Sequence, residues 1–161
     1  MSKIKNKTLC YLILVFSIFA LFAAYFIQYS LGYQPCKLCL IERLPYIFTI
    51  IIILLFLFLE KYENFFLVIL GLLFLSSALL SFYHFGIEQG FIKESLVCDL
   101  NSAVEVLTPE ELLKQLKERA ISCKDVTFKM FGLSLSTINT ITSLTICAII
   151  FLNYFNYEEK K

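Results

Sequence analysis

The sequence predicts an all-α membrane protein, a four transmembrane helix bundle with a short amphipathic helix in the second outer loop. Three observations carry that prediction. Of 161 residues, 59% are hydrophobic and only 17% charged, with a mean hydropathy of +0.79. Soluble domains average about 45–50% apolar and about 25% charged. The charges are also clustered: residues 9–34, 44–59 and 130–157 carry none, and 65–87 carry only His84. Finally, these runs lack the period-two alternation of barrel strands. An ordinary soluble globule and a disordered chain are excluded. A net charge of +1 provides no field to hold a nucleic acid.

A bilayer core about 30 Å thick takes roughly 17–25 helical residues. The first, third and fourth runs meet this length. The second has 16 residues, of which 13 are Ile, Leu or Phe. At about −0.3 to −0.6 kcal/mol each, these favour insertion by on the order of −4 to −8 kcal/mol. Glu42 and Arg43 at its edge can snorkel. The expected spans are about 9–29, 42–59, 65–87 and 131–155, in a single domain over 1–161. Loops at about 30–42 and 88–130 share one side. The first run is too long for a cleaved signal, and bulky Tyr25-Phe26 follows Ala23-Ala24, so it is read as a retained span.

Lys3, Lys5 and Lys7 precede the first span with no acid, which places both termini in the cytoplasm. The long loop holds six basic residues against eight acids, consistent with the opposite side. Tyr29, Tyr33, Tyr46 and Tyr83 are expected in an outer interfacial belt, and Tyr11, Tyr62, Tyr154 and Tyr157 in an inner one. In the long loop, Thr108-Pro109-Glu110-Glu111 reads as a capping box. Leu112, Leu113, Leu116 and Ala120 then form one face of a short helix, lying on the membrane or against the spans.

The chemistry rests on cysteines. Cys36, Cys39, Cys98 and Cys123 lie in the two outer loops, whereas Cys10 and Cys147 fall in spans and read as small apolar fillers. Thiols on a non-cytoplasmic side meet an oxidising compartment. The loop cysteines read as two disulfides, although four cysteines allow three pairings. Cys36-x-x-Cys39 is the spacing of dithiol oxidoreductases. With Pro35 as first helical residue, both would sit in a first helical turn, where free N–H groups favour a thiolate. Arg43, four residues beyond Cys39, would add a cation on the same face. Pro45 implies either a kink here or a helix that begins only near Leu44.

Two successive pairs suggest an electron relay from a soluble dithiol to the outer pair, then the inner pair, then a further acceptor. The chain has no haem-attachment or flavin motif. A membrane quinone is the natural acceptor for a pair at the bilayer surface. A zinc site on four thiolates is disfavoured, because the second pair lacks knuckle spacing, and no metal is expected. The competing reading is a non-enzymatic tetraspan scaffold with structural disulfides. Glu42 reads as an interfacial charge, His84 as an interfacial residue or a donor to the quinone, and Gln28 and Tyr29 as candidate pocket residues. Gly132, Ser134, Ser136, Thr137 and Thr140 read as helix-packing residues.

The segment Gln34-Pro-Cys-Lys-Leu-Cys-Leu-Ile-Glu-Arg-Leu-Pro-Tyr46 resembles the signature of the DsbB/BdbC family of quinone-dependent thiol oxidases. Tyr83-His-Phe-Gly-Ile-Glu88 resembles that family's third-span end. Cys123, Phe131-Gly-Leu-Ser-Leu135 and Asn139 resemble the approach to its fourth span. Phe128 and Ile138 stand where many members have Trp, which removes aromatic anchoring but no chemistry. The resemblance implies a bacterial inner-membrane protein that reoxidises a periplasmic DsbA-like thiol oxidase and reduces ubiquinone or menaquinone. It implies attack on Cys98 by the client, with Cys123 as partner that exchanges with Cys36. Cys39 would meet the quinone, and Arg43, with His84 as a candidate, would bind it. The DsbA–DsbB–quinone route is the standard example of a periplasm kept oxidising kinetically. A related oxidase with a specialised client fits the same residues.

Overall fold

A computed structural model describes residues 2–59, 63–93, 123–124, 129–130 and 132–158. Its helices are α1 (Ser2–Tyr29), α2 (Lys37–Ile41), α3 (Leu44–Phe58), α4 (Glu63–Glu88) and α5 (Leu135–Glu158). Two short strands, β1 (Lys129–Met130) and β2 (Leu133–Ser134), precede α5. Among the described residues, four segments are long and apolar enough to cross a membrane: Lys7–Tyr29, Lys37–Phe58, Asn64–Glu88 and Leu135–Phe155. The four-helix membrane architecture is therefore as expected. Cys98 and the expected short helix at 108–120 lie outside the described residues.

The helices close into a ring. α1 packs along α3, α3 along α4, α4 along α5, and α5 touches α1. Lipid tails are as apolar as leucine, so close van der Waals packing, not exclusion from water, holds such a bundle. The interior is built from Cys10 and Ile13 of α1, Tyr46, Ile53 and Phe56 of α3, Leu67, Leu70 and Phe74 of α4, and Cys147 and Ile150 of α5. Cys10 and Cys147 are the buried fillers expected of them. Gly71 lets α4 approach α5 closely: a Cβ there would lie 3.1 Å from the Phe151 ring. Ser77 and Ser143 pair across the same seam at 3.2 Å. Outward, Leu12, Phe19, Phe22 and Phe26 of α1 are exposed, as a lipid-facing surface requires.

Two boundaries differ from expectation. The second span is broken into α2 and α3 and begins at Lys37 instead of 42, with Cys36 as its N-cap and Cys39 in its first turn. Pro45 is the cause. It has no N–H to give Ile41 and its ring crowds the preceding turn, so the chain restarts at Leu44 with Arg43 as N-cap and Pro45 in the first turn. The fourth span starts at Leu135, not 131, because an antiparallel hairpin pairs Lys129 with Ser134 and Met130 with Leu133. Gly132 (φ 81°) supplies the left-handed residue in its turn.

α4 ends in a Schellman motif. Phe91 N–H donates to Gly86 O at 2.9 Å and Gly90 N–H to Ile87 O at 3.0 Å, with Gly90 at φ 76°. This stop keeps His84 and Glu88 in the final turns, beside α2.

Candidate functional site

The site lies where α1 and α4 end and α2 and α5 begin. Cys36 is the N-cap of α2, with extended backbone, and its Sγ accepts a hydrogen bond from Cys39 N–H at 3.3 Å. Pro35 thus stands before the cap and not inside the helix. One turn of α2 brings the two sulfurs to 2.8 Å. Cys36 is buried with Leu38, Ile87 and Cys123, and Cys39 packs against this cluster. Cys123, held in a disulfide, therefore shares a buried cluster with the C-x-x-C despite its distance along the chain.

His84, reaching across from α4, is 3% exposed and places Nε2 3.5 Å from Cys36 Sγ. Its Nδ1 lies 2.7 Å from Glu42 Oε1. An ionised carboxylate only accepts, so Nδ1 carries the shared proton. Glu42 is buried, which corrects the expectation of an interfacial charge. The break after α2 turns Glu42 inward, and its other oxygen accepts from Asn139 Nδ2 at 3.0 Å. Asn139 is itself fixed by Tyr46 and Ser81: Tyr46 OH donates to its Oδ1, and its Nδ2 donates to Ser81 Oγ. Tyr46 is consequently a buried anchor and not a member of the outer belt.

Glu88, one turn beyond His84, places Oε1 3.7 Å from His84 Nε2. Ser136 Oγ donates to its Oε2 at 2.6 Å. Ser134 Oγ lies 2.8 Å from Ser136 Oγ. Two residues read as packing positions thus orient a buried carboxylate.

The Cys36 thiol is pushed down from its ordinary 9 to about 5. The Cys39 thiol donating to its sulfur is the largest cause, burial opposes it, and the hydrogen bond and charge of His84 add to it. Arg43 is not among these causes. The helix break points it away, where its guanidinium donates to Gln28 Oε1 at 2.7 Å and lies 4.8 Å above the Tyr25 ring.

A cavity of about 360 Å³ opens beside the sulfurs. Phe16, Ala20, Ala24 and Ile27 of α1 give it an apolar wall, and Gln28, Cys39, Arg43 and His84 supply polar groups. Gln28 is at the pocket as expected, whereas Tyr29 is exposed and does not line it. The size falls in the usual range for small-molecule sites. A flat, mostly apolar ring with carbonyl oxygens suits these walls and donors.

Of the expected site residues, Cys36, Cys39, Cys123, Arg43 and His84 all line this cavity. Glu42, Glu88, Ser136 and Asn139 had no assigned role in the chemistry. Only the four-residue spacing of His84 and Glu88, which puts both on one helical face, signalled any of these partnerships.

The chain matches the family described as Disulfide bond formation protein DsbB over residues 6–153. It is similar to Uncharacterized protein RP370 of Rickettsia prowazekii (strain Madrid E), with 31% identity over 160 residues, covering 98% of this chain and 92% of that protein. No solved structure matches the chain.

Proposed function

The chain belongs to the DsbB family of disulfide bond formation proteins, and on that premise we propose that it is a quinone-dependent protein-dithiol oxidase serving a periplasmic DsbA-like thiol oxidase. Membership makes it a four-helix membrane oxidoreductase of disulfide formation. The quinone, the client and the orientation in a bacterial inner membrane, with both termini cytoplasmic, are the proposal.

The observation that supports it best is the convergence of Cys36, Cys39 and His84 on a largely apolar cavity that Arg43 also lines. A client dithiol would transfer two electrons and two protons to the Cys98/Cys123 disulfide, beginning with attack on Cys98. The Cys123 thiolate would then attack Cys36, releasing Cys39, and the freed Cys98 thiolate would attack Cys123, re-forming the outer disulfide and releasing Cys36, which leaves the inner pair reduced. A membrane quinone, ubiquinone or menaquinone, would accept the two electrons and two protons. Cys39, Arg43, Gln28 and His84 would hold it.

The residues divide the remaining work. Cys36, kept as a thiolate near neutral pH, is the nucleophile that closes the ring onto Cys39 when the electron pair leaves. His84, oriented by Glu42, faces that sulfur and can hold a proton there. Arg43, pinned by Gln28, offers a fixed positive charge where oxygen gains negative character.

The test is quinone-dependent oxidation of a reduced thioredoxin-fold substrate by purified protein. Activity lost in Cys39→Ser supports the relay. Full activity in that variant refutes it and leaves a scaffold with structural disulfides.

A further inference from the structure

We propose that the reduced Cys36/Cys39 pair and His84 form a three-residue site for a thiophilic divalent cation such as Zn²⁺, that Glu88, 3.7 Å from the His84 ring, swings in to complete the shell, and that capture of the ion arrests the reduced enzyme. This rests on the reading above in one respect, that the pair cycles between dithiol and disulfide.

Three of the ligand atoms already converge. Cys36 Sγ, Cys39 Sγ and a ring nitrogen of His84 lie within 4.8 Å of one another. Zinc binds sulfur at about 2.3 Å and nitrogen or oxygen at about 2.0–2.2 Å, so tetrahedral neighbours stand roughly 3.3–3.8 Å apart. Cys36 Sγ to His84 Nε2 is 3.5 Å, and His84 Nε2 to Glu88 Oε1 is 3.7 Å. The sulfurs, at 2.8 Å, need to open by about 1 Å.

The outer partners point the same way. Metal-bound histidines usually give their second ring N–H to a carboxylate, which fixes the tautomer and raises the basicity of the ligating nitrogen. His84 Nδ1 meets Glu42 Oε1 at 2.7 Å, leaving Nε2 to face Cys36. Glu42 is held in turn by Asn139. Ser136 binds Glu88 Oε2, so Oε1 is the oxygen turned towards His84. The His84 and Glu88 side chains are only 4% and 6% exposed.

Redox state gates the site. Zn²⁺ takes Cys36 as a thiolate and displaces the proton of the Cys39 thiol, and no electrons move. A Cys36–Cys39 disulfide removes both sulfur ligands, so only the reduced form binds. Two sulfurs, one imidazole and one carboxylate select zinc or cadmium over calcium or magnesium, which require oxygen ligands. The bound ion would hold both thiolates from the cavity and stop their reoxidation.

The experiment uses the full chain in detergent, with Cys10→Ser, Cys98→Ser, Cys123→Ser and Cys147→Ser so that only the site thiols remain. Zn²⁺ is titrated against a competing chelator, and Cd²⁺ is followed by its thiolate charge-transfer band. The expected result is one ion per reduced chain and none after oxidation. His84→Ala and Glu88→Gln should each weaken Zn²⁺ by at least about tenfold, with helix content unchanged by circular dichroism. Zn²⁺ should also halt turnover of the parent chain, and a chelator should restore it. The proposal is overturned if the reduced chain binds no ion, if the oxidised chain binds equally, or if either variant leaves the affinity unchanged. Binding without quinone-dependent activity would sink the functional reading and leave this site standing. Activity without binding would do the reverse.

Discussion

His84 Nδ1 stands 2.7 Å from Glu42 Oε1, joining residues 42 positions apart. Both are buried at the joint of the broken second span and the end of α4. A buried charge persists only when paired and hydrogen-bonded. The pair therefore fixes which face His84 shows Cys36, and Pro45, by interrupting the helix, fixes where Glu42 points.

Asn139 is the keystone of that pair on the α5 side. Asn139→Leu removes the donor to Glu42 Oε2 and the acceptor for Tyr46 OH. Each buried group left unpaired costs about 1–3 kcal/mol. The variant is expected to fold, to unfold at lower denaturant in detergent, and to lose oxidase activity without losing client binding. Reversible unfolding followed by circular dichroism measures the first effect, and turnover measures the second.

Arg43→Ala is expected to raise the apparent KM for quinone by roughly tenfold or more, the scale of a lost charge-assisted hydrogen bond. Thiol–disulfide exchange without quinone should change little, because Arg43 contacts Gln28 and Tyr25 and not the Cys36 sulfur. Steady-state kinetics with varied quinone, set beside quinone-free exchange, separates the two. An equal loss in both would remove Arg43 from the quinone site.

The acidity of Cys36 makes a pH prediction. Its thiolate fraction grows as pH rises through about 5, so alkylation of the reduced chain should reach half its plateau rate there. Cys39→Ala removes the largest cause, and the midpoint should move upward towards 9. The sign for stability follows from the lowered value. The contribution to the reduced protein is fully present above the ordinary thiol value of about 9, diminishes as pH falls, and is lost below about 5. Iodoacetamide rates against pH check the first part, and unfolding of the reduced chain against pH checks the second.

Cys123→Ser should leave Cys98 without an internal partner and trap the client as a mixed disulfide. Non-reducing electrophoresis and mass spectrometry would identify both the client and the attacked sulfur. A mixed disulfide at Cys36 in place of Cys98 would reverse the assigned order.

Composition and charge spacing made the four spans legible, because a bilayer excludes charge over a fixed thickness and the chain must record that length. Cysteine placement made the Cys36/Cys39 pair legible, since a two-residue spacing brings two thiols together within one helical turn. The signal of Pro45 was visible too, but not its consequence, since a break and a kink read alike along the chain. Which way Glu42 turned was invisible. A carboxylate at a span edge looks the same whether it snorkels outward or pairs inward, and only the approach of α4 and α5 supplied His84 and Asn139 as partners. The sequence by itself determined that four apolar helices carry thiols to one end of the bundle. The tertiary structure alone decided which residues tune those thiols, because hydrogen bonds act over about 3 Å and that proximity arises only when helices distant in sequence pack together.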